Sequence, residues 1–454
     1  MIPALTKPKK GREWIYPKLI KGKLYAYRNY VSYVLLALLF SGPFIKVNGE
    51  QLILLNLLER KFAFFGVVFY PQDFYLFVLA MLSFLVFIIL FTVIFGRVWC
   101  GWACPQTIFM EMVFRKIEVW IEGNAQEQKK LDASPWTGTK IFKKGFKHLL
   151  FITISFAIAN TFLAYIIGSE NLFSIITDPV EKHIGGFASI IIFTGIFYAV
   201  FAYIREVVCT VICPYGRLQG VLLDRRSLIV AYDYGRGEPR GKITKDAENT
   251  HGDCVDCGLC VQVCPTGIDI REGTQLECIN CTACIDACDF VMEKTGREKN
   301  LIGFKSEAEI HDGIPFKFGK RVYSYAAVLM VLVSILTILL IRRTDIDTTI
   351  LRASGTLYQQ RPDGTVSNLY NAELVNKTSE TINFKIESAS KDATIQYINP
   401  QHIIRKGESL KITFFLILPQ KQITKYKSEI AFKVIANGKT AGTAQSAFIA
   451  PPNL

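Results

Sequence analysis

The sequence predicts a multi-domain chain: a polytopic α-helical membrane protein of about five transmembrane helices, a cytoplasmic ferredoxin-like module for two [4Fe–4S] clusters, and a C-terminal all-β immunoglobulin-like sandwich. Three observations carry this. Half of the 454 residues are hydrophobic, gathered into long runs nearly free of charge. Eight of the twelve cysteines form one tandem run between Cys254 and Cys288. Beyond residue 344 the pattern changes to short period-two segments separated by turn signals.

The chain opens on a basic leader, residues 1–29, with Lys7, Lys9, Lys10, Arg12, Lys18, Lys21, Lys23 and Arg28 against the single acid Glu13. A first apolar run, residues 30–47, carries Pro43, which a membrane helix tolerates where neighbours satisfy the freed carbonyl. No small-residue cleavage site follows it, so it reads as a retained helix and not a signal peptide. Runs at 74–96, 149–168, 184–204 and 322–341 each approach the roughly 20 residues a bilayer crossing requires. Residues 30–204 are therefore expected to form a membrane region of four helices, and 322–343 a fifth.

Orientation follows from lysine and arginine asymmetry. The loop 97–147 holds Arg97, Arg115, Lys116, Lys129, Lys130, Lys140, Lys143, Lys144 and Lys147, whereas the alternate loops hold Arg60 with Lys61, and Lys182. The N-terminus, this loop and the segment 205–321 are thus predicted in the cytoplasm of a bacterial cell, the spans in its inner membrane, and the tail 344–454 in the periplasm. The net charge of +13 is then a topology signal beside anionic lipid. It is not read as a nucleic-acid footprint. All cysteines lie between Cys100 and Cys288, on the reducing side of this arrangement, and the tail has none to form a disulfide.

Within 205–321, residues 245–295 form the ferredoxin-type module. Cys254, Cys257, Cys260 and Cys264-Pro265, then Cys278, Cys281, Cys284 and Cys288, write the C-x2-C-x2-C-x3-C spacing twice. Three cysteines on a tight loop supply three corners of a cubane, and the fourth comes from the other half of the repeat. Cys254, Cys257, Cys260 and Cys288 are expected to hold one [4Fe–4S] cluster. Cys278, Cys281, Cys284 and Cys264 are expected to hold the second. Structural zinc uses paired CxxC motifs and fits three close cysteines plus a distant fourth poorly.

The other four cysteines repeat as well. Arg97-Val98-Trp99-Cys100-Gly101-Trp102-Ala103-Cys104-Pro105 and Arg205-Glu206-Val207-Val208-Cys209-Thr210-Val211-Ile212-Cys213-Pro214 each read arginine, then C-x3-C-P, at the end of an apolar run. A helix continuing through each pair would set the two cysteines on one face, about 5–6 Å apart at Cβ, with proline limiting the helix afterwards. Two facing pairs would make a four-thiolate patch of the kind that selects Cu(I), zinc or an iron–sulfur cluster; simple burial is the bland reading. Met110 and Met112 could add thioethers, although methionine near an apolar helix ordinarily packs. His148 and His183 fall near opposite membrane faces, which argues against a bis-histidine haem, and His251 reads as a solvated loop residue. The glycine-rich stretch Gly235-Arg236-Gly237-Glu238-Pro239-Arg240-Gly241 lacks dinucleotide spacing and reads as a loop into the module.

In the tail, Ile382/Phe384/Ile386 and Ile430/Phe432/Val434 are period-two strands, and Pro362-Asp363-Gly364 and Asn437-Gly438 are turns. Seven or eight such runs suggest a β-sandwich that docks or shields, with no catalytic motif.

Taken together these motifs resemble the cytochrome c oxidase accessory proteins of the CcoG/FixG/RdxA type. The resemblance covers nearly the whole chain: Ser41-Gly42-Pro43-Phe44 with Asn48-Gly49, Phe69-Tyr70-Pro71-Gln72-Asp73, Gly96 to Thr107 around the first cysteine pair, Arg236 to Gly241, Gly252-Asp253-Cys254-Val255-Asp256-Cys257, and Cys264-Pro265-Thr266-Gly267-Ile268-Asp269-Ile270-Arg271. It implies a membrane polyferredoxin with an exported immunoglobulin-like domain. It also implies a role in maturing cbb3-type oxidase by reducing Cu(II) to Cu(I), with a cytoplasmic electron donor, oxidase subunits and copper-handling proteins as partners. By the same resemblance Cys100/Cys104 and Cys209/Cys213 handle copper or contact the electron path. The second repeat ends Cys288-Asp289 where the first has Cys-Pro, which alters a turn but removes no ligand. Two other readings stand beside this one: a quinol-linked electron-transfer subunit of a respiratory reductase chain, and a non-catalytic assembly scaffold.

Overall fold

The computed structural model describes residues 14–452 apart from 48, 57–60, 70–72, 243–250 and the single positions 356, 379, 391, 424 and 437. The leader residues before Trp14, and Asn48, Arg60, Tyr70, Pro71, Gln72 and Asn437, named above, lie outside the described residues. The chain forms two compact units, residues 1–43 with 79–334, and residues 44–78 with 335–454.

The helices that matter for the site are α1 (Lys23–Ser41), α2 (Phe74–Phe95), α3 (Gly138–Ile167), α4 (Ile184–Ala199), α5 (Pro214–Leu222), α6 (Ala283–Lys294) and α7 (Lys320–Ile341). Among the described residues four are long and apolar enough to cross a membrane: α2, α3, α7, and α4 with the π-helical turn Val200–Ile204 that extends it. The first run departs from expectation. Its helix is not 30–47 but begins at Lys23, because both carboxylate oxygens of Asp286 accept the free N–H groups of its first turn, Leu24 at 3.2 Å and Tyr25 at 2.7 Å. It stops at Ser41, two residues before Pro43, and residues 46–47 are already a strand. With Lys23, Arg28, Asn29 and Ser32 inside it, α1 is less apolar than the other four. It nevertheless runs from the ferredoxin module to the far end of α3, where Tyr165 donates to the Leu39 carbonyl at 2.9 Å.

α3 starts where the Thr137 hydroxyl accepts the Lys140 N–H, and ends at Gly168 with φ +93°. It packs along α4, and aromatic rings fill the space between them and residues 108–122. Phe114 stacks on Phe201 at 4.5 Å and meets Phe151 edge-on at 4.8 Å. Met110 is buried among these rings, so it packs in the core. In the same unit a two-stranded antiparallel sheet, Ile229–Tyr232 with Ile302–Lys305, backs the cluster-binding loops. Its Val230, Tyr232 and Ile302 share a core with Ile270, Ile285 and Met292.

The second unit is a two-sheet sandwich. Its strands are β1 (Ile346–Arg352), β2 (Gln359–Gln360), β3 (Thr365–Asn376), β4 (Ile382–Ser388), β5 (Thr394–Tyr397), β6 (Ile403–Ile404), β7 (Ser409–Pro419), β8 (Lys427–Ala436) and β9 (Lys439–Ile449). One sheet runs β5-β7-β3-β1 with β2 beside β3; the other runs β6-β4-β8-β9. All pairings are antiparallel. The alternation is real: Ile382, Phe384, Ile386, Ile430, Phe432 and Val434 are all buried. Tyr370, Phe414 and Phe432 form the aromatic centre, and the Tyr370 hydroxyl finds the Ala447 carbonyl at 2.9 Å. The Pro362-Asp363-Gly364 turn is built as such, with Gly364 at φ +75° and the Asp363 carboxylate accepting the Thr365 N–H and hydroxyl. Residues 44–78 join this unit through a three-stranded meander and a buried node. There the Asp73 carboxylate meets Arg343 and Lys377, each at 2.7 Å.

Candidate iron–sulfur and thiol site

The eight tandem cysteines surround two small cavities of matching size. Cys254, Cys257, Cys260 and Cys288 line one. Cys264, Cys278, Cys281 and Cys284 line the other, with Cys260 on the wall between them. α6 explains the crossing: Cys284 and Cys288, one helical turn apart, face different cavities. The remaining walls are mostly apolar, among them Val230, Ile268, Ile270 and Ile279 on one side and Val291, Met292, Leu301 and Ile302 on the other, with Thr266 and Thr282 in the one and Arg271 in the other. Eight soft donors in two mostly apolar cages of equal size fit two cubanes and no hard cation. The glycine-rich loop props the first cage: Gly241 N–H donates to the Cys254 carbonyl, Asp253 N–H donates to the Arg236 carbonyl, and the Arg236 guanidinium holds Asp253 at 2.6 Å. His251 is exposed.

Each C-x3-C-P pair sits at a break between helices, so the condition of a helix continuing through the pair is not met. Cys100 lies in the short turn Val98–Trp102, and Cys104 is extended (ψ 124°) as the N-cap of the helix that Pro105 begins. Cys209 lies in the π-helical turn Val208–Ile212, and Cys213 (ψ 115°) is the N-cap before Pro214 of α5. Proline explains this, because it excludes the residue before it from helical geometry and favours the first helical position. The two breaks thus repeat each other in backbone as in sequence. They bring the four sulfurs within electrostatic reach, Cys100 of Cys104 and Cys213, and Cys209 of Cys104 and Cys100.

Three of the four sulfurs sit where the neutral thiol is favoured over the thiolate. Burial, reinforced by Cys104 nearby, pushes Cys100 up to about 11; burial likewise pushes Cys209 up to about 12 and raises Cys104. Among the described residues these four sulfurs form no group of three donors close enough to share one ion. A soft ion satisfied by two sulfurs is what such pairs can take, releasing their protons as it binds.

The patch is seated on the second cage. A side chain at Gly101 would lie 2.5 Å from the Ile279 carbonyl and 2.8 Å from that of Asn280, so only glycine permits this approach to the loop between Cys278 and Cys281. Arg97, buried, donates to the carbonyls of Leu276, Gly216 and, at 3.3 Å, Cys278, and to the Gln219 side chain. The Gln219 amide in turn reaches Cys100 Sγ at 3.5 Å. Gln219 was not singled out from sequence; its only signal is its place on α5, on the turn after Gly216, which itself packs against the Cys209 carbonyl.

The second arginine of the repeat does something else. Arg205 makes a two-pronged pair with buried Glu118, at 3.1 and 2.9 Å, and Lys147 joins it. Burial alone would raise Glu118, but Arg205 and Lys147 outweigh it and bring the carboxyl down to about 2. A depressed acid stabilises the fold above its unfolded value of 4.5, and that contribution disappears as the pH falls toward 2. Replacing Glu118 with Gln takes the two-pronged partner from buried Arg205, leaving it Glu206 at 3.9 Å, while Lys147 keeps Glu122 at 2.8 Å; the loss should cost about 3 kcal/mol. Denaturation of the detergent-solubilised protein should show this deficit unchanged across neutral pH and narrowing only in acid.

Comparison with known proteins follows these features. A family model described as "4Fe-4S binding domain" matches residues 77–124, "4Fe-4S dicluster domain" matches 204–307, and "IG-like fold at C-terminal of FixG" matches 336–451. Protein RdxB of Cereibacter sphaeroides is 33% identical over 400 residues, 84% of this chain and 82% of that protein. RdxA of the same organism is 32% identical, over 82% and 81%. Nitrogen fixation protein FixG of Rhizobium meliloti is 36% identical over 303 residues, 64% of this chain, and the match spans only 57% of FixG's length. The chain belongs to the FixG/RdxA family of iron–sulfur electron-transfer proteins.

Proposed function

We propose that this membrane protein carries electrons from a cytoplasmic donor, through two [4Fe–4S] clusters, to copper, reducing Cu(II) to Cu(I) for the copper centre of a cbb3-type oxidase during its maturation. Cys254, Cys257, Cys260 and Cys288 would hold one cluster and Cys264, Cys278, Cys281 and Cys284 the other; bound there, they supply one-electron storage. The observation that carries the reading is the packing of Gly101 and Arg97 on the loop between Cys278 and Cys281, which sets four half-buried cysteines beside the second cage. Cys100, Cys104, Cys209 and Cys213 would receive copper there, release their protons to water as it binds, and hold the soft product. Protein reduced beforehand with dithionite should be reoxidised by Cu(II), with one Cu(I) trapped by a chelator for each electron released. Protein that stays reduced in the presence of Cu(II) overturns the proposal.

We place the helices in the bacterial cytoplasmic membrane, the cages on its inner face, and the sandwich in the periplasm, on the strength of the lysine and arginine asymmetry. A reporter active only outside the cytoplasm should be active when fused after Leu454 and silent when fused near Lys320. Equal activity at both sites would remove α7 from the count of spans, and activity near Lys320 with silence after Leu454 would remove α1, the least apolar helix.

A further inference from the structure

The two cages differ in charge. Beside the first, the guanidinium of Arg271 is answered by two carboxylates, Asp269 and Asp256, each at 2.6 Å. Beside the second stand two arginines with no acid in ion-pair distance among the described residues. Arg97 spends its donors on the carbonyls of Leu276, Cys278 and Gly216 and on Gln219. Arg28, 4% exposed, donates through Nε to the Gly101 carbonyl at 2.7 Å, and Gly101 lies on Ile279 and Asn280. The acids nearby are engaged elsewhere: Glu111 with Arg115 at 3.0 Å, and Asp286 with the first turn of α1.

Two buried donors here also lack a partner, Arg28 Nη2 and Asn280 Nδ2. Asn280 stands between Cys278 and Cys281 and is 3% exposed. Unsatisfied N–H groups around a sulfur-lined cage suit hydrogen bonds to sulfur, and such bonds, with net charge, set the potential of an iron–sulfur centre. Dryness opposes the effect, since a buried centre resists further negative charge. The same dryness makes two unanswered cations act strongly, and Cys257, on the first cage, is the exposed cysteine of the eight.

We infer that Arg28 and Arg97 give the cage of Cys264, Cys278, Cys281 and Cys284 the higher reduction potential of the two, so that electrons enter at the exposed Cys257 side and leave beside the four-thiol patch. This rests on the two-cluster reading above. Arg28 and Arg97 are positioning residues in this sense: they touch no copper and fix the downhill order of two one-electron steps. With both clusters bound, one electron from a cytoplasmic one-electron reductant would enter at the first cage, pass to the second, and reduce one Cu(II) to Cu(I).

The test is an anaerobic redox titration of the whole detergent-solubilised protein, with dithionite as reductant and electron paramagnetic resonance as readout. Two one-electron waves are expected, and Cys264→Ser should remove the upper one. Arg28→Gln and Arg97→Gln should each move the upper wave to lower potential and leave the lower wave in place, whereas Arg97→Lys, which keeps the charge, should move it least. Arg28→Gln carries the test alone if Arg97→Gln does not fold. Loss of the lower wave in Cys264→Ser, or an upper wave unmoved by both glutamine variants, overturns the inference. Iron well below about eight per chain in the unaltered protein would instead overturn the two-cluster reading beneath it.

Discussion

Cys264→Ser protein, purified without oxygen, should keep about four of the roughly eight irons of the unaltered chain, and the four it loses should be those held by Cys278, Cys281 and Cys284. Cys264 follows Cys254, Cys257 and Cys260 directly in sequence, so a local reading would assign all four to one centre. The cavities argue otherwise, since Cys264 lines the one shared with Cys278, Cys281 and Cys284, and Cys288 lines the one shared with Cys254, Cys257 and Cys260. Serine supplies a hard, neutral hydroxyl where a soft thiolate is required. The spectrum of Cys264→Ser should therefore match that of Cys278→Ser and differ from that of Cys254→Ser. A Cys264→Ser spectrum matching Cys254→Ser, or full iron retention, would refute the crossed assignment.

The parts legible in the sequence were those written in short-range pattern. The tandem cysteine spacing sufficed to anticipate two cages, because three ligands of each lie on one loop. Period-two alternation sufficed for the sandwich, because Phe384 and Phe432 alternate with solvated neighbours along single strands. What escaped depended on contacts between distant segments. The start of α1 is set by Asp286, more than two hundred residues away, so apolarity alone put the helix too late. The break at Cys104 was half-legible: Pro105 announced it, yet helical continuity through the pair looked equally natural. Gln219 and Arg28 belong to no cysteine motif and Gly101 is only a spacer within one, so their importance comes from meeting at the second cage. Asp73 drew attention only as part of a motif, while its partners Arg343 and Lys377 lie far along the chain.

Replacing Cys100, Cys104, Cys209 and Cys213 together with serine should leave the iron content near that of the unaltered protein while abolishing Cu(I) binding and Cu(II) reduction. The four thiols line neither cage, so their loss removes no cluster ligand. The substitution is close to isosteric, and the contacts that seat the patch, those of Arg97, Gly101 and Gly216, involve backbone carbonyls or Gln219 and persist without sulfur. What changes is softness, since a hydroxyl neither gives up its proton to solvent when Cu(I) approaches nor holds the metal. In cells the variant should lower oxidase activity, and added copper should restore it in part, because the defect lies in delivering the reduced metal. A quinol-linked role would give a different result: copper handling would be irrelevant, and quinol-dependent respiration to another acceptor would fall instead. Unchanged copper binding and reduction in a folded, iron-replete quadruple variant would rule out these four cysteines as the copper site and leave the two cages as they stand.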